Sequence, residues 1–277
     1  MGRTDRSRFN AFVLAVVATF GSLAVPEALR AQEPVVFRST QSANLPTAQT
    51  IRSGNLMFEI SHRFAPISGG SDRLWGLDGP VFNRLGLAWA PTDRVMIGVQ
   101  RSNLDGNLEL NAKGRFLEGG GAGFRYQVGA MGGAAWNTSA AETATVESNE
   151  AQYYAQVMLN ARAGERFALG VVPTFIRNPR IDDPEPENGF AVGLHGQFWV
   201  AEGVSLIGEW ILTEESDDFP HDPLTFGIDL QTRGHVFKLV ASNQMRMNPT
   251  QYLAGSRDGY DSDAWRLGFN ITRVLSF

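Results

Sequence analysis

Apolar and polar residues alternate along most of the chain with a period of two, the spacing of a β-strand with one apolar and one polar face. Near the start, Leu56, Phe58 and Ile60 alternate with Glu59 and Arg63. This pattern predicts twelve strands, at about residues 54–64, 82–91, 94–103, 106–117, 121–133, 150–163, 166–176, 189–200, 203–213, 224–231, 234–243 and 263–277.

Short connections between these strands alternate with mostly longer ones. The links at Pro91–Asp93 and Ala201–Gly203 are short, those at 134–149 and 244–262 are long, and the link at Leu104–Asp105 is short where a long one is expected. Short periplasmic turns, long outer loops and an even strand number are typical of outer-membrane barrels. We therefore predict an all-β fold, a transmembrane antiparallel up-and-down β-barrel. A soluble β-sandwich with one buried face is the alternative.

The last strand ends on an aromatic residue and resembles the signal by which bacterial outer-membrane barrels reach their assembly machinery. Phe277, Leu275 and Phe269 share its apolar face. Arg273 interrupts that face, and we expect it to snorkel to the membrane interface. The pattern predicts the barrel-assembly machinery as a partner, together with outer-membrane lipid and lipopolysaccharide.

The other end of the chain has the pattern of a cleaved secretory signal peptide. Arg3, Arg6 and Arg8 precede the apolar run Phe12–Val25, which is too short to cross a bilayer as a helix. An N-terminal anchor helix is the alternative. The predicted organisation is a signal peptide at 1–31, a periplasmic N-terminal segment at 32–53 and an outer-membrane β-barrel at 54–277. The poorly periodic second part is expected to be a periplasmic tail, or to dock against a partner or the barrel mouth.

Composition narrows the function further. The chain has no cysteine, so neither a lipid-attachment site nor a thiolate metal site is expected. Removal of residues 1–31 takes away four arginines and two acids, which leaves 20 Lys and Arg against 27 Asp and Glu. An acidic chain without a basic stripe argues against nucleic acid as a partner. No later apolar run reaches the roughly 18 residues of a membrane helix.

Four segments resemble a domain-of-unknown-function family of bacterial outer-membrane β-barrel proteins. They are LPTAQTIRSGNLMFEISHRF (45–64), WGLDGP (75–80), RLGLAWAPTDRVMIGVQRSN (84–103) and NAKGRF (111–116). The resemblance is close over the N-terminal half, and the rest matches mainly as barrel-like strands. It implies the barrel fold and an outer-membrane location, without a known substrate or catalytic residues.

The polar strand faces place charges of both signs inside the predicted barrel. Closure of the last strand on the first brings Arg266 near Glu59 and Arg63 as one polar network. We expect either a narrow channel for small polar solutes or a non-conducting structural or partner-binding barrel whose lumen is filled. The predicted lumen residues are Glu59, Arg63, Arg84, Glu109, Lys113, Arg115, Arg125, His195, Glu209, Asp229, Lys238 and Arg266.

Catalytic and metal-binding patterns are weak. His62, His195, His221 and His235 lie in no His-x-Ser pattern of the outer-membrane phospholipase kind. Three acid-rich loops could attract divalent cations, but they lack EF-hand spacing. The sequence therefore predicts no enzyme, no metal site and no cofactor.

Overall fold

The chain folds into a closed barrel of twelve antiparallel strands in which each strand pairs with its neighbours in sequence and β1 pairs with β12. The computed structural model describes residues 35–139, 151–181, 187–214, 216–232 and 234–276. The strands are β1 Leu56–Pro66, β2 Phe82–Thr92, β3 Val95–Ser102, β4 Asn107–Gly120, β5 Phe124–Asn137, β6 Ala151–Ala163, β7 Phe167–Arg177, β8 Asn188–Ala201, β9 Val204–Leu212, β10 Leu224–Gln231, β11 His235–Ser242 and β12 Arg266–Leu275.

Among the described residues, helical structure is confined to short pieces of the connections. One α-helical turn, α1, spans Pro249–Tyr252, and its proline stands in the first turn, where a missing N–H costs no hydrogen bond. The 3-10 turns are Ile67–Gly76, Leu104–Gly106 and Ser262–Ala264. Among the described residues no helix has the length and apolar character needed to cross a membrane.

The structure confirms the predicted barrel and its strand count, and most strand limits agree within two or three residues. β5 begins at Phe124 rather than near residue 121. There Gly120 takes a φ of 114°, and the N–H of Gly121 donates to the carbonyl of Phe124 at 2.8 Å, which makes a turn. β12 begins at Arg266 because a 3-10 turn occupies Ser262–Ala264.

The two strand faces are separated as the alternation predicts. Apolar side chains such as Phe58, Leu87 and Leu239 are exposed on the outside of the barrel, where lipid would contact them. Polar side chains such as Glu59 and Arg84 are buried inside. The inward face of the barrel wall is therefore largely polar, and its outward face is apolar.

The closing pair of strands has a defined register. Glu59 lies opposite Thr272, and Pro66 lies opposite Arg266. Arg266 is therefore six residues along β12 from the level of Glu59, about 20 Å at the rise of a strand. The predicted contact between Arg266 and Glu59 is wrong, and Arg266 forms a salt bridge with Asp258 at 2.8 Å instead.

The N-terminal segment lies inside the barrel. In the part of the predicted segment 32–53 that the structure describes, Val36, Phe37 and Leu45 are buried among inward-facing wall residues. The predicted signal peptide and Phe277 of the insertion signal lie outside the described residues. The other two residues of that signal, Leu275 and Phe269, lie on β12 and are half-buried.

The outward face gives a direct test of membrane insertion. Leu87→Arg, near the middle of β2, should lower the free energy of unfolding in lipid by ~2–4 kcal/mol, because a charge is costly at the bilayer midplane. Val95→Arg, an outward substitution at the end of β3, is the control and should cost ~0–1 kcal/mol. Denaturant titration of the vesicle-inserted protein measures both, and equal small losses would contradict a lipid-facing surface.

Candidate functional site in the barrel lumen

The barrel lumen is occupied by a hairpin formed by residues 36–51, here called the lumen hairpin. Its legs are joined by a bridge between Gln41 and Pro46, and the N–H of Ser42 donates to the carbonyl of Leu45 across the tip at 2.8 Å. Three residues of the tip, Ala43, Asn44 and Leu45, are buried. The hairpin therefore reaches deep into the lumen.

Both legs of the lumen hairpin begin at the barrel end that carries the short strand connections, here called the turn end. The carbonyl of Val35 accepts from Arg162, close to the β6–β7 turn. On the other leg, the hydroxyl of Thr50 donates to the carbonyl of Asp93 in the β2–β3 turn at 2.6 Å. The opposite mouth, with the long connections, is the loop end. The hairpin therefore enters and leaves through one mouth.

A single carboxylate holds the hairpin tip. The main-chain N–H groups of Asn44 and Leu45 both donate to the Glu209 carboxylate at 2.8 Å. Arg63 extends this contact, because it donates to the side-chain oxygen of Asn44 at 3.0 Å and to that of Asn270 at 2.8 Å. Hydrogen bonds to a charged acceptor in a buried site are stronger than neutral ones. Without Glu209, the N–H groups at the tip would be buried without a hydrogen-bond acceptor.

Two lysines hold the hairpin legs by their carbonyl groups. The ammonium group of Lys113 on β4 donates to the carbonyls of Thr40 at 2.8 Å and Thr47 at 3.2 Å. On β11, Lys238 donates to the carbonyl of Gln41 at 2.7 Å and to a serine hydroxyl of the same leg. These cations therefore bind the hairpin main chain from two parts of the wall.

Glycines of the wall make room for hairpin side chains. A Cβ atom on Gly193 would lie 2.5 Å from a methyl carbon of Leu45, so only glycine leaves space for that side chain as it stands. Farther toward the turn end, Phe37 stacks on the ring of His195 with centroids 4.8 Å apart. That imidazole lies against Gly170, whose missing Cβ leaves it room. The wall is shaped to the hairpin at these places.

A second segment fills the loop end. Residues 243–256, here called the inner loop, turn back into the barrel, and the carbonyl of Met247 accepts from Arg84 at 2.6 Å. The side chain of Asn248 donates to that of Asn107 at 2.6 Å. Tyr252 of α1 is buried, and burial raises the pKa of its hydroxyl, so the phenol is protonated at neutral pH.

The lumen hairpin and the inner loop meet inside the barrel. Leu45 and Tyr252 belong to one buried apolar cluster with wall residues such as Met158. A cavity of about 60 Å³ remains beside them, next to Glu59 and Lys113. This volume holds only a few water molecules. The hairpin and the inner loop thus leave only a small space at this place in the lumen.

Eleven of the twelve predicted lumen residues are buried inside the barrel, and Arg125 is half-buried near the turn end. They form several local groups rather than one network. Glu59 pairs with Arg84, Glu109 accepts from Tyr154 at 2.8 Å, and Asp229 lies 3.9 Å from Lys238. Seven of the predicted lumen residues contact the hairpin, and one of them, Arg115, also binds the β2–β3 turn. The seven are Glu59, Arg63, Lys113, Arg115, His195, Glu209 and Lys238.

Two wall residues that bind the main chain of the hairpin are not among the predicted lumen residues. Asn160 accepts from the N–H of Ala48 at 2.6 Å, and Asn270 donates to the carbonyl of Ala43 at 2.6 Å. Both are neutral, and only charged residues and a histidine were selected. One signal for the hairpin itself was available, since no charged residue occurs between Arg38 and Arg52. Such an uncharged polar stretch beside a charged lumen suits a buried position.

Comparisons with known proteins agree on the fold. A family model described as a membrane-bound beta barrel domain (DUF5777) matches residues 37–275, which include most of the lumen hairpin. The COG4313 outer membrane channel from Pseudomonas putida F1 is similar in structure, with a TM-score of 0.50, 14% identity and coverage of 82% of this chain and 98% of that one. A search of curated proteins found no match to the sequence.

Two further solved barrels have lower structural similarity. The NanC porin has a TM-score of 0.47 at 10% identity and covers 80% of this chain and 99% of its own. Outer membrane phospholipase A from Escherichia coli has a TM-score of 0.40 at 11% identity, with 80% and 90% covered.

The contact between Glu209 and the hairpin tip is testable. Glu209→Ala leaves two buried N–H groups without their acceptor, at ~1–3 kcal/mol each. Amide hydrogen exchange of Asn44 and Leu45 should therefore accelerate about tenfold or more. Glu109→Ala is the matched control, because this buried wall carboxylate binds Tyr154 rather than the hairpin. Unchanged exchange in Glu209→Ala would contradict the assigned contact.

Proposed function

We propose that this chain, which belongs to the DUF5777 family of membrane-bound β-barrel domains, is an outer-membrane channel for small polar solutes, described here in its closed state. The observation that supports this proposal is that charged residues of the lumen bind a segment outside the barrel wall. Lys113, Lys238 and Glu209 bind the lumen hairpin, which is not part of the barrel wall. When the hairpin leaves, the same charges line an open polar lumen.

The hairpin is suited to leave without unfolding the barrel. It contributes no strand to the closed sheet, and both of its legs reach the turn end. That end is periplasmic in outer-membrane barrels. Withdrawal breaks hydrogen bonds between the hairpin and wall side chains and leaves the hydrogen bonds between strands in place. The barrel wall therefore supplies the pathway, and the hairpin closes it.

A non-conducting barrel is the second candidate function. The filling of the lumen favours it, since Leu45 of the hairpin and Tyr252 of the inner loop belong to one buried apolar cluster. In that case the charges serve only to bind the two segments, and the barrel acts as a structural or partner-binding component of the membrane. Conductance separates the two candidates.

Our proposal includes no enzymatic activity. Each of the four histidines packs against an aromatic ring: His62 on Phe269, His195 on Phe37, His221 on Tyr260 and His235 on Phe237. Packing of this kind fills space and leaves an imidazole without the oriented nucleophile that acyl transfer requires. The proposed surroundings are outer-membrane lipid and lipopolysaccharide, reached through the barrel-assembly machinery.

Displacing both lumen segments should open the channel. Leu45→Asp places a carboxylate in the apolar cluster beside Gly193, and Tyr252→Asp does the same from the inner loop, so both segments are expelled. In planar bilayers the double variant should carry steady ion currents, whereas the unchanged chain should stay closed. A shift in gel mobility on boiling confirms that each variant is a folded barrel. Absence of current in a folded double variant would favour the non-conducting barrel.

A disulfide that locks the hairpin provides the complementary control. Ala43 packs with Val240 of β11 in one buried cluster, and the chain contains no cysteine of its own. Ala43→Cys with Val240→Cys, added to the double variant, should suppress the current when oxidised and restore it on reduction. Equal currents in the oxidised and reduced states would show that the hairpin does not block the pathway.

The selectivity of the open channel should follow the wall charges. In the open double variant, Lys113→Met removes a lumen cation and should shift the reversal potential in a salt gradient toward cations, whereas Glu109→Gln should shift it toward anions. Arg94→Gln is the control, because Arg94 is an exposed residue of the turn end that pairs with Glu118. Identical potentials for all three variants would contradict a pathway along this wall.

A further inference from the structure

The wall residues that hold the lumen hairpin bind many of its main-chain groups, in addition to side chains such as those of Gln41 and Asn44. Side chains of the wall accept hydrogen bonds from N–H groups of the hairpin, and other side chains of the wall donate hydrogen bonds to its carbonyl groups. The N–H groups of residues 44, 45 and 48 bind Glu209 and Asn160. The carbonyls of residues 40, 41, 43 and 47 bind Lys113, Lys238 and Asn270.

Main-chain groups are common to every polypeptide. A wall with donors and acceptors at these positions therefore binds groups that any peptide backbone offers, as sheet edges do when they bind an added strand. The wall and the peptide main chain also match in charge, since ammonium groups of the wall bind carbonyl oxygens and a carboxylate of the wall accepts from N–H groups. Each such bond to a charged group is stronger than a neutral one.

Selectivity for side chains comes from the wall glycines. Gly193 leaves space for the leucine at position 45, as described above. A Cβ atom on Gly129 would lie 2.6 Å from the carbonyl oxygen of Gly114 and 3.3 Å from the Cβ atom of Ala48, and Ala48 is fully buried there, so a small side chain suits this position. Gly86, which also lies on an inward face, has 3.6 Å to its nearest neighbour Glu59 and no hairpin atom close by. Of these three glycines, Gly193 and Gly129 therefore lie beside the hairpin and Gly86 does not.

We propose that the lumen is a peptide-binding site and that the lumen hairpin occupies it as a tethered ligand. The ligand class is a short peptide with mostly small and polar side chains, an aromatic side chain at the place of Phe37, and a leucine-sized apolar side chain three residues before a small one. Such a peptide enters from the turn end, where both hairpin legs lie. The inference rests on the proposed function in one respect, because both require the hairpin to leave the lumen.

Cross-linking of a free peptide to the full chain tests the proposal. The receptor is the full chain with Leu45→Asp, which expels the tethered hairpin, and Val240→Cys, which offers a thiol to the vacated tip position. The probe is a synthetic peptide of residues 36–50 with A43C, and the matched control peptide carries L45D as well. Since no other cysteine is present, the disulfide adduct on a non-reducing gel reports occupation of the site.

The probe peptide should give about tenfold more adduct than the control peptide, because burial of the leucine side chain accounts for at least that ratio. Glu209→Ala in the receptor should lower the adduct by a similar factor. Equal yields from the two peptides, or no adduct with either on a receptor that migrates as a folded barrel, would overturn the proposal. If Leu45→Asp prevents folding, Leu45→Ala in the receptor replaces it.

This result is separable from the proposed channel. Adduct formation without ion current in the open double variant would support the peptide site and contradict the channel. Ion current without selective adduct formation would support the channel and overturn the peptide site.

Discussion

The structure depends on the pairing of buried charges with buried main-chain groups inside the lumen. The wall carries ions such as Glu209 and Lys113 where no bulk water reaches them, and an ion in such a place is costly unless it is hydrogen-bonded. The lumen hairpin has the complementary problem, since most of its N–H and carbonyl groups have no strand partner. Each side satisfies the other, so the charged wall and the hairpin stabilise one another, and removal of either leaves the other with unpaired polar groups.

This mutual dependence explains why the polar strand faces are charged rather than merely polar. A wall of serine and threonine would hydrate an empty pore equally well. Ammonium and carboxylate groups can instead reach several main-chain groups at once, as Lys113 does with Thr40 and Thr47 and Glu209 with Asn44 and Leu45. The charges hold a segment that has no regular structure of its own, and they become the lining of the lumen when that segment is absent.

The sequence predicted the barrel because alternation, register and closure are coupled. A one-residue slip moves every side chain to the other face, so a strand with a clear alternation can bury only one set of residues. Eleven of the twelve predicted lumen residues are buried for this reason. Their partners could not be predicted, because contacts across the lumen depend on segments without periodicity. Arg266 pairs with Asp258, a loop residue, and Glu209 binds a hairpin tip that no strand pattern reveals.

The two lumen segments enter from opposite mouths, and their contact couples the two ends of the barrel. Leu45 of the hairpin and Tyr252 of the inner loop share one apolar cluster, so each loses a packing partner when the other leaves. Two segments that stabilise each other in this way have a coupling free energy, and displacement of one lowers the cost of displacing the other. A peptide that replaces the hairpin at the turn end but keeps its leucine preserves the apolar cluster that includes Tyr252. A peptide without that side chain loosens the inner loop as well. The identity of one buried side chain therefore decides whether a change at one mouth reaches the other.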